Sequence, residues 1–90
     1  MPNTRRLYEQ AQRSPNNLSF SELCALAEGV GFVFKRQRGD HKIYKHPGIR
    51  SIESLINLQN RNGQAKPYQV KQLLSLIYKY DLIEREDERA

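Results

Sequence analysis

Two runs of strand-forming residues are joined by a connection that leaves room for little except a β-hairpin. Residues 32–38 (FVFKRQR) and 41–47 (HKIYKHP) are separated only by Gly39 and Asp40. A two-residue hairpin turn needs a positive φ, and glycine supplies it without a steric penalty. Pro47-Gly48 ends the second run. A third short apolar run at residues 55–59 is followed by turn-forming residues 60–63, which predicts a third strand.

Helical patterns flank these strands on both sides. Ser19 and Glu22 have the spacing of a capping box, apolar residues follow at helical spacing from Phe20 to Val30, and Gly31 is suited to end the helix. A second stripe follows Pro67 and consists of Val70, Leu73, Leu74 and Ile77. Each helix has one apolar face, so both are expected on the same side of a three-stranded antiparallel sheet. The predicted class is an α+β two-layer sandwich whose other sheet face is open.

The chain divides into three predicted regions. Residues 1–18 form a polar N-terminal lead-in with a short helix around Arg5–Arg13, residues 19–83 form the folded domain, and residues 84–90 form an acidic tail. With 90 residues, one compact core is the expected outcome.

Positive charge is concentrated in the middle of the sequence. Residues 29–80 contain ten basic and two acidic side chains, whereas residues 81–90 contain two basic and five acidic ones. A positive field on a small fold favours polyanions such as nucleic acid, an anionic membrane surface or an acidic protein. We find neither an apolar run that could span a bilayer nor a secretory signal, and the single Cys24 excludes an internal disulfide. The expected location is the cytoplasm.

The predicted hairpin is the densest functional signal. Residues 35–46 contain five cations, one aspartate and both histidines of the chain. Like charges on neighbouring strands repel, and a fold tolerates them more readily where an anion normally lies between them. The alternative is a solvated charged face without a ligand. If that anion is nucleic acid, the residues predicted to contact RNA are Lys35, Arg36, Arg38, Lys42, Tyr44 and Lys45, with Tyr44 stacking on a base.

His41 is the candidate catalytic residue. Histidine titrates near neutral pH, as a general acid or base must. The alternative is an exposed turn histidine without a role. His46 is five residues away, so on a regular strand the two rings point to opposite faces and cannot share a metal ion. With one cysteine and no glycine-rich phosphate loop, the sequence predicts neither a metal nor another cofactor.

These residues also form a family motif. Gly31-Phe32, followed by Arg36-Gln37-Arg38-Gly39-Asp40-His41-x-Ile43-Tyr44-x-His46-Pro47, resembles the signature of the HicA toxins, and the passage from Leu58 to Val70 resembles one branch of that family. The resemblance covers about residues 19–83. It implies a double-stranded-RNA-binding-like α-β-β-β-α fold and a metal-independent ribonuclease that cleaves messenger RNA. It also implies a HicB-like antitoxin that covers the active surface, with His41 at the position of the catalytic histidine.

Three departures from the signature bear on the mechanism. Asp40 replaces a commoner serine, Lys42 stands where many members have a second histidine, and Leu55–Gln59 replaces a Val-Pro-x-His strand. The sequence therefore offers no obvious second proton carrier. Two other functions remain open at this point: a non-catalytic double-stranded-RNA-binding-like module, which would bind RNA without cleaving it, and a subunit that binds an acidic protein. A membrane-surface role is disfavoured because no helix combines a large apolar face with a basic one.

Overall fold

A computed structural model describes residues 3–83, and the predicted acidic tail at 84–90 lies outside this range. Short 3-10 turns at Pro15–Asn17 and Ile52–Ser54 connect longer elements. The helices and strands, in chain order, are α1 (Thr4–Arg13), α2 (Phe20–Gly29), β1 (Val33–Arg38), β2 (His41–Lys45), β3 (Leu55–Arg61), β4 (Gln64–Ala65) and α3 (Pro67–Lys79). The α+β class and the predicted order of helix, antiparallel strands and helix are confirmed.

The sheet has four strands in the order β1-β2-β3-β4, all antiparallel, rather than the three that were predicted. The additional strand arises because β3 continues to Arg61 and turns back at Asn62-Gly63. Both turn residues have positive φ, 53° and 86°, as a type I′ hairpin turn requires. An Asn-Gly pair is a strong hairpin signal, and the sequence prediction used it only as a strand end.

The N-terminal segment takes part in the core. The predicted short helix is present as α1, and its Leu7 and Ala11 are buried against the rest of the protein. Leu18 is also buried, and its carbonyl accepts a hydrogen bond from the Ala65 N–H at 3.0 Å. The chain before α2 therefore covers the outer edge of β4, which would otherwise expose unpaired backbone groups.

The predicted capping box and glycine stop of α2 are both present. The Glu22 N–H donates to the Ser19 hydroxyl at 3.1 Å, and the Ser19 N–H donates to the Glu22 carboxylate at 3.0 Å. Gly31 has φ 104°, and a Cβ at this position would lie 2.7 Å from Nε2 of the His46 ring. Positive φ and lack of space thus both require glycine here.

His46 has a structural role at this junction. Its Nε2 lies 2.9 Å from the Val30 carbonyl, to which it donates, and its Nδ1 accepts the Gly48 N–H at 3.0 Å. The ring also packs edge-on against Phe32, with centroids 4.9 Å apart. The Gly-Phe and His-Pro ends of the sequence motif therefore contact each other and hold the end of α2 against the end of β2.

The two faces of the sheet differ in burial. Tyr44, Ile56 and Leu58 lie on the helix side and are buried in the core. The opposite face carries Val33 and Leu55, each 47% exposed. Within residues 3–83, no helix is both long and apolar enough to cross a membrane.

Glu22 gives a test of the capping box through its pH dependence. The Ser19 N–H lowers the pKa of the Glu22 carboxyl in the folded state. Its charge therefore stabilises the fold fully above the unfolded value of about 4.3, and this contribution is lost as the pH falls through the lowered folded pKa. Glu22→Gln keeps a side-chain oxygen for the cap but removes the charge, so we expect it to be less stable than the parent at neutral pH by up to about 1 kcal/mol.

Urea unfolding of both proteins across this pH range measures the difference. The difference in the free energy of unfolding between the parent and Glu22→Gln should shrink towards zero in acid. Glu9→Gln, which removes the charge of an exposed α1 glutamate that makes no cap, is the matched control. If Glu22→Gln were less stable than the parent by the same amount in acid as at neutral pH, the charge of Glu22 would not be the source of the stabilisation.

Candidate active site

His41 is the first residue of β2 and follows the hairpin turn directly. The turn consists of Gly39, with φ 59°, and Asp40, and it pairs Arg38 with His41 across the two strands. Positive φ at the first turn residue alone is the requirement of a type II′ hairpin. The His41 side chain is 38% exposed, so the ring is partly supported by the protein and still open to solvent.

A β-bulge in β1 brings more cations to the face that carries His41. Phe34 pairs with Tyr44 and Arg36 pairs with Ile43, which leaves Lys35 as the extra residue. A bulge of this kind interrupts the regular alternation of side chains. Arg36 and Arg38 are consequently paired with residues of the open face. Lys35 lines a shallow depression on this face with Val33, Lys45 and Pro47.

Two residues predicted to contact RNA lie on the other side of the sheet. The Lys42 ammonium lies 5.8 Å from the centre of the Phe20 ring and 5.9 Å from that of Phe34, on the helix side. Tyr44 is completely buried, and its hydroxyl donates to the Glu28 carboxylate at 2.9 Å. The prediction that Tyr44 stacks on a base is therefore wrong, and Lys42 does not share a face with His41. Side chains alternate between the two faces along a strand, and Lys42 and Tyr44 are one and three residues from His41, so both lie on the opposite face.

The imidazole of His41 has a polar neighbour at each ring nitrogen. Nδ1 lies 2.8 Å from the side-chain oxygen of Asn57 in β3. Nε2 lies 3.5 Å from the carboxylate of Asp40, and Gln59 donates to the same carboxylate at 3.2 Å. The four side chains form one connected network across the hairpin turn and β3.

A buried glutamine of α3 holds the part of β3 that carries this network. The Gln69 side chain accepts the Gln59 N–H at 2.9 Å and donates to the Asn57 carbonyl at 2.9 Å. These backbone groups lie on the edge of β3 that β4 does not reach, because β4 pairs only with Asn60 and Arg61. The amide of Gln69 thus takes the place of a neighbouring strand at this point.

Sequence reasoning missed Asn57, Gln59 and Gln69. The β2–β3 register pairs His41 with Gln59 and Ile43 with Asn57, so both β3 side chains lie on the face of His41. A signal was present, because the polar residues of the third run alternate with the buried Ile56 and Leu58. Within the described range, no three His, Cys, Asp or Glu side chains are grouped so that they could hold a metal ion.

The contribution of the Gln69 bridge to stability can be tested by substitution. Gln69→Leu retains most of the side-chain volume but leaves the Gln59 N–H and the Asn57 carbonyl without partners, which we expect to lower the free energy of unfolding by about 1–3 kcal/mol. Gln72→Leu, an exposed position of the same helix, is the control and should stay near the parent. Urea unfolding at neutral pH measures both. Equal stability of the two variants would show that the Gln69 bridge contributes nothing.

Comparison with known proteins identifies a family for this chain. A family model described as the HicA toxin of bacterial toxin-antitoxin systems matches residues 20–77 of the 90. The matched range runs from α2 through the hairpin and β3 into α3, and it includes His41, Asn57 and Gln69. No curated protein and no solved structure matches the chain. The family match covers more than half of the sequence, and the chain therefore belongs to the HicA family of toxins, which function in toxin-antitoxin systems together with an antitoxin.

Proposed function

We propose that this toxin is a ribonuclease that cleaves messenger RNA, with His41 as its general acid and base. The observation that carries the proposal is the position of the ring: a partly exposed imidazole, hydrogen-bonded to Asn57, on the same sheet face as Arg36 and Arg38. An RNA backbone lying along this face would bring its phosphates to the two guanidinium groups. Its ribose hydroxyls would then lie close to the imidazole.

The proposed reaction uses the 2′-hydroxyl of the RNA as the nucleophile. The neutral imidazole takes the hydroxyl proton, O2′ attacks the adjacent phosphorus, and the bond from phosphorus to O5′ breaks. The imidazolium then returns the proton to O5′. The products are a 2′,3′-cyclic phosphate and a 5′-hydroxyl end, and the histidine regains its starting form. One residue therefore serves as base and acid in turn, which needs neither a second histidine nor a metal ion.

The arginines would stabilise the negative charge that builds on the phosphorane. Arg38 is paired directly with His41 across the hairpin, and Arg36 lies two residues before Arg38 in the same strand. Guanidinium groups bind phosphate oxygens through two parallel hydrogen bonds. The Asp40 carboxylate near Nε2 would repel a phosphate at this position, so an incoming phosphate must displace the carboxylate from the ring.

The antitoxin is proposed to be a HicB-like protein that covers the open face. This face combines exposed apolar side chains, Val33 and Leu55, with the cations of β1. A partner with an acidic and partly apolar surface would complement it and would exclude RNA at the same time. We place the toxin in the cytoplasm, where its proposed substrate is translated.

His41→Ala tests the chemistry. We expect cleavage of long single-stranded RNA to fall at least about 10²–10⁴-fold, because the variant lacks the proposed acid and base. Binding of uncleavable 2′-deoxy strands should stay within about twofold of the parent, since the phosphate-binding arginines are retained. Cleavage is followed on gels in the presence of a chelator, and binding by fluorescence anisotropy.

The same assay separates the competing functions. A non-catalytic RNA-binding module would retain RNA in both forms without producing fragments, and a subunit that binds only an acidic protein would not retain RNA. Equal cleavage by the parent and by His41→Ala would contradict the role of His41. Cleavage by the parent that stops in the chelator would contradict the metal-independent mechanism.

The position of the RNA is tested with paired charge deletions. The double variant Arg36→Ala, Arg38→Ala should reduce the dependence of log Kd on log salt by about 0.7 for each phosphate contact it loses on single-stranded RNA. The control, Lys66→Ala with Lys71→Ala, removes the same charge from the start of α3, away from the open face. Its salt dependence should stay close to that of the parent. An equal reduction of the salt dependence in both double variants would show that the RNA does not lie specifically along Arg36 and Arg38.

A further inference from the structure

The ring of His41 is attached to the neighbouring strand by one short hydrogen bond. Nδ1 of His41 lies 2.8 Å from Oδ1 of Asn57. An amide oxygen only accepts hydrogen bonds, so the nitrogen facing it must carry the proton. The contact therefore selects one of the two neutral forms of the imidazole, the form protonated at Nδ1. Free imidazole side chains in water prefer the other form, with the proton on Nε2.

We propose that Asn57 is a positioning residue, which keeps the proton of His41 on Nδ1 and thereby makes Nε2 the nitrogen that exchanges protons with RNA. This inference rests on the proposed ribonuclease function. Nδ1 would keep its proton throughout the reaction. Nε2 would take the proton of the 2′-hydroxyl and return it to O5′, so that the ring ends in the tautomer in which it started.

The surroundings of Nε2 leave this nitrogen accessible to substrate. Its neighbour is the Asp40 carboxylate at 3.5 Å, which is longer than a normal hydrogen bond. Asp40 lies in the exposed hairpin turn and is itself 55% exposed, so it can move without disturbing the core. A carboxylate is also an anion, and the phosphate of an RNA strand can replace it. Nδ1, by contrast, faces a strand that is fixed on both sides.

Asn57 is well suited to a positioning role because its own backbone is held. It lies in the middle of β3, pairs with Ile43 of β2, and its carbonyl accepts a hydrogen bond from the buried Gln69. A side chain on a fixed strand sets the orientation of a partner more accurately than one on a loop. Asn57 carries no charge, so its loss should affect the rate of cleavage more than the binding of RNA.

The tautomer can be read directly by NMR. Two-bond ¹H–¹⁵N correlation spectra of protein with ¹⁵N-labelled histidine, recorded above the ordinary histidine pKa of about 6.5, distinguish the two neutral forms. His46 provides an internal reference, since its contacts require the proton on Nε2. We expect opposite tautomers for the two histidines in the parent, with His41 identified by the signal that His41→Ala lacks.

Three variants complete the test. Asn57→Ala should shift His41 towards the Nε2-protonated form and lower kcat by about 10- to 100-fold while KM changes about twofold or less. Asn57→Asp, whose carboxylate only accepts, should restore the Nδ1-protonated form and much of kcat, with a higher KM because it adds a negative charge. Asn60→Ala removes a different hydrogen bond of β3, to the Gly63 N–H at 2.7 Å, and should change neither readout.

The possible failures are distinguishable. A parent protein that leaves RNA intact overturns the proposed function, whatever the tautomer. An Nε2-protonated His41 in a parent that does cleave RNA, or a tautomer that Asn57→Ala leaves unchanged, overturns the role of Asn57 alone. A loss of kcat that Asn60→Ala shares would assign the effect to weakened β3 structure and would also overturn it.

Discussion

The burial of Tyr44 at the centre of β2 determines which face each side chain of that strand occupies. Its ring is fully buried, lies 5.8 Å from that of Phe34 and carries a hydroxyl that donates to Glu28. Burial raises the pKa of the Tyr44 phenol far above its ordinary value, so it stays a neutral donor. Because side chains alternate along a strand, the position three residues earlier must lie on the open face. A slip of one residue would bury His41 and expose Tyr44.

The chemistry of the open face depends on this parity and on the bulge in β1. With regular alternation, Arg36 and Arg38 would lie on the helix side together with Phe34, whereas the bulge at Lys35 brings both arginines into register with the face of His41. The resulting concentration of positive charge is unfavourable in the absence of an anion. Asp40 partly compensates for it in the free protein, and its carboxylate accepts a hydrogen bond from Gln59. The site is thus arranged so that one anion, a carboxylate, stands where another, a phosphate, is proposed to bind.

The local elements could be predicted from the sequence, and the site only in part. Ser19, Glu22 and Gly31 act through neighbours a few residues away, so their roles were visible in the sequence. Lys42 and Tyr44 were included among the predicted RNA contacts, although counting alternate residues from His41 places both on the other face of the sheet. Asn57 lies 16 residues from His41, and their contact depends on the β2–β3 register, which no local pattern fixes. The family resemblance pointed to His41 but did not point to its partner.

Gln69 connects the stability of the fold to the geometry of the proposed catalytic group. Where β4 is too short to pair with β3, the backbone groups of β3 need other hydrogen-bond partners. The buried amide of Gln69 bonds to the Asn57 carbonyl and the Gln59 N–H. The side chains of these same two residues belong to the His41 network. A buried backbone group without a partner is costly, so the strand and the first turn of α3 are held together by the same bonds that fix the network. If this edge opened locally, Asn57 would lose its fixed position, and the proton on His41 would no longer be confined to Nδ1. Through these bonds, the packing of a helix on the far side of the sheet would determine which nitrogen of the His41 imidazole is free for the proposed proton transfer.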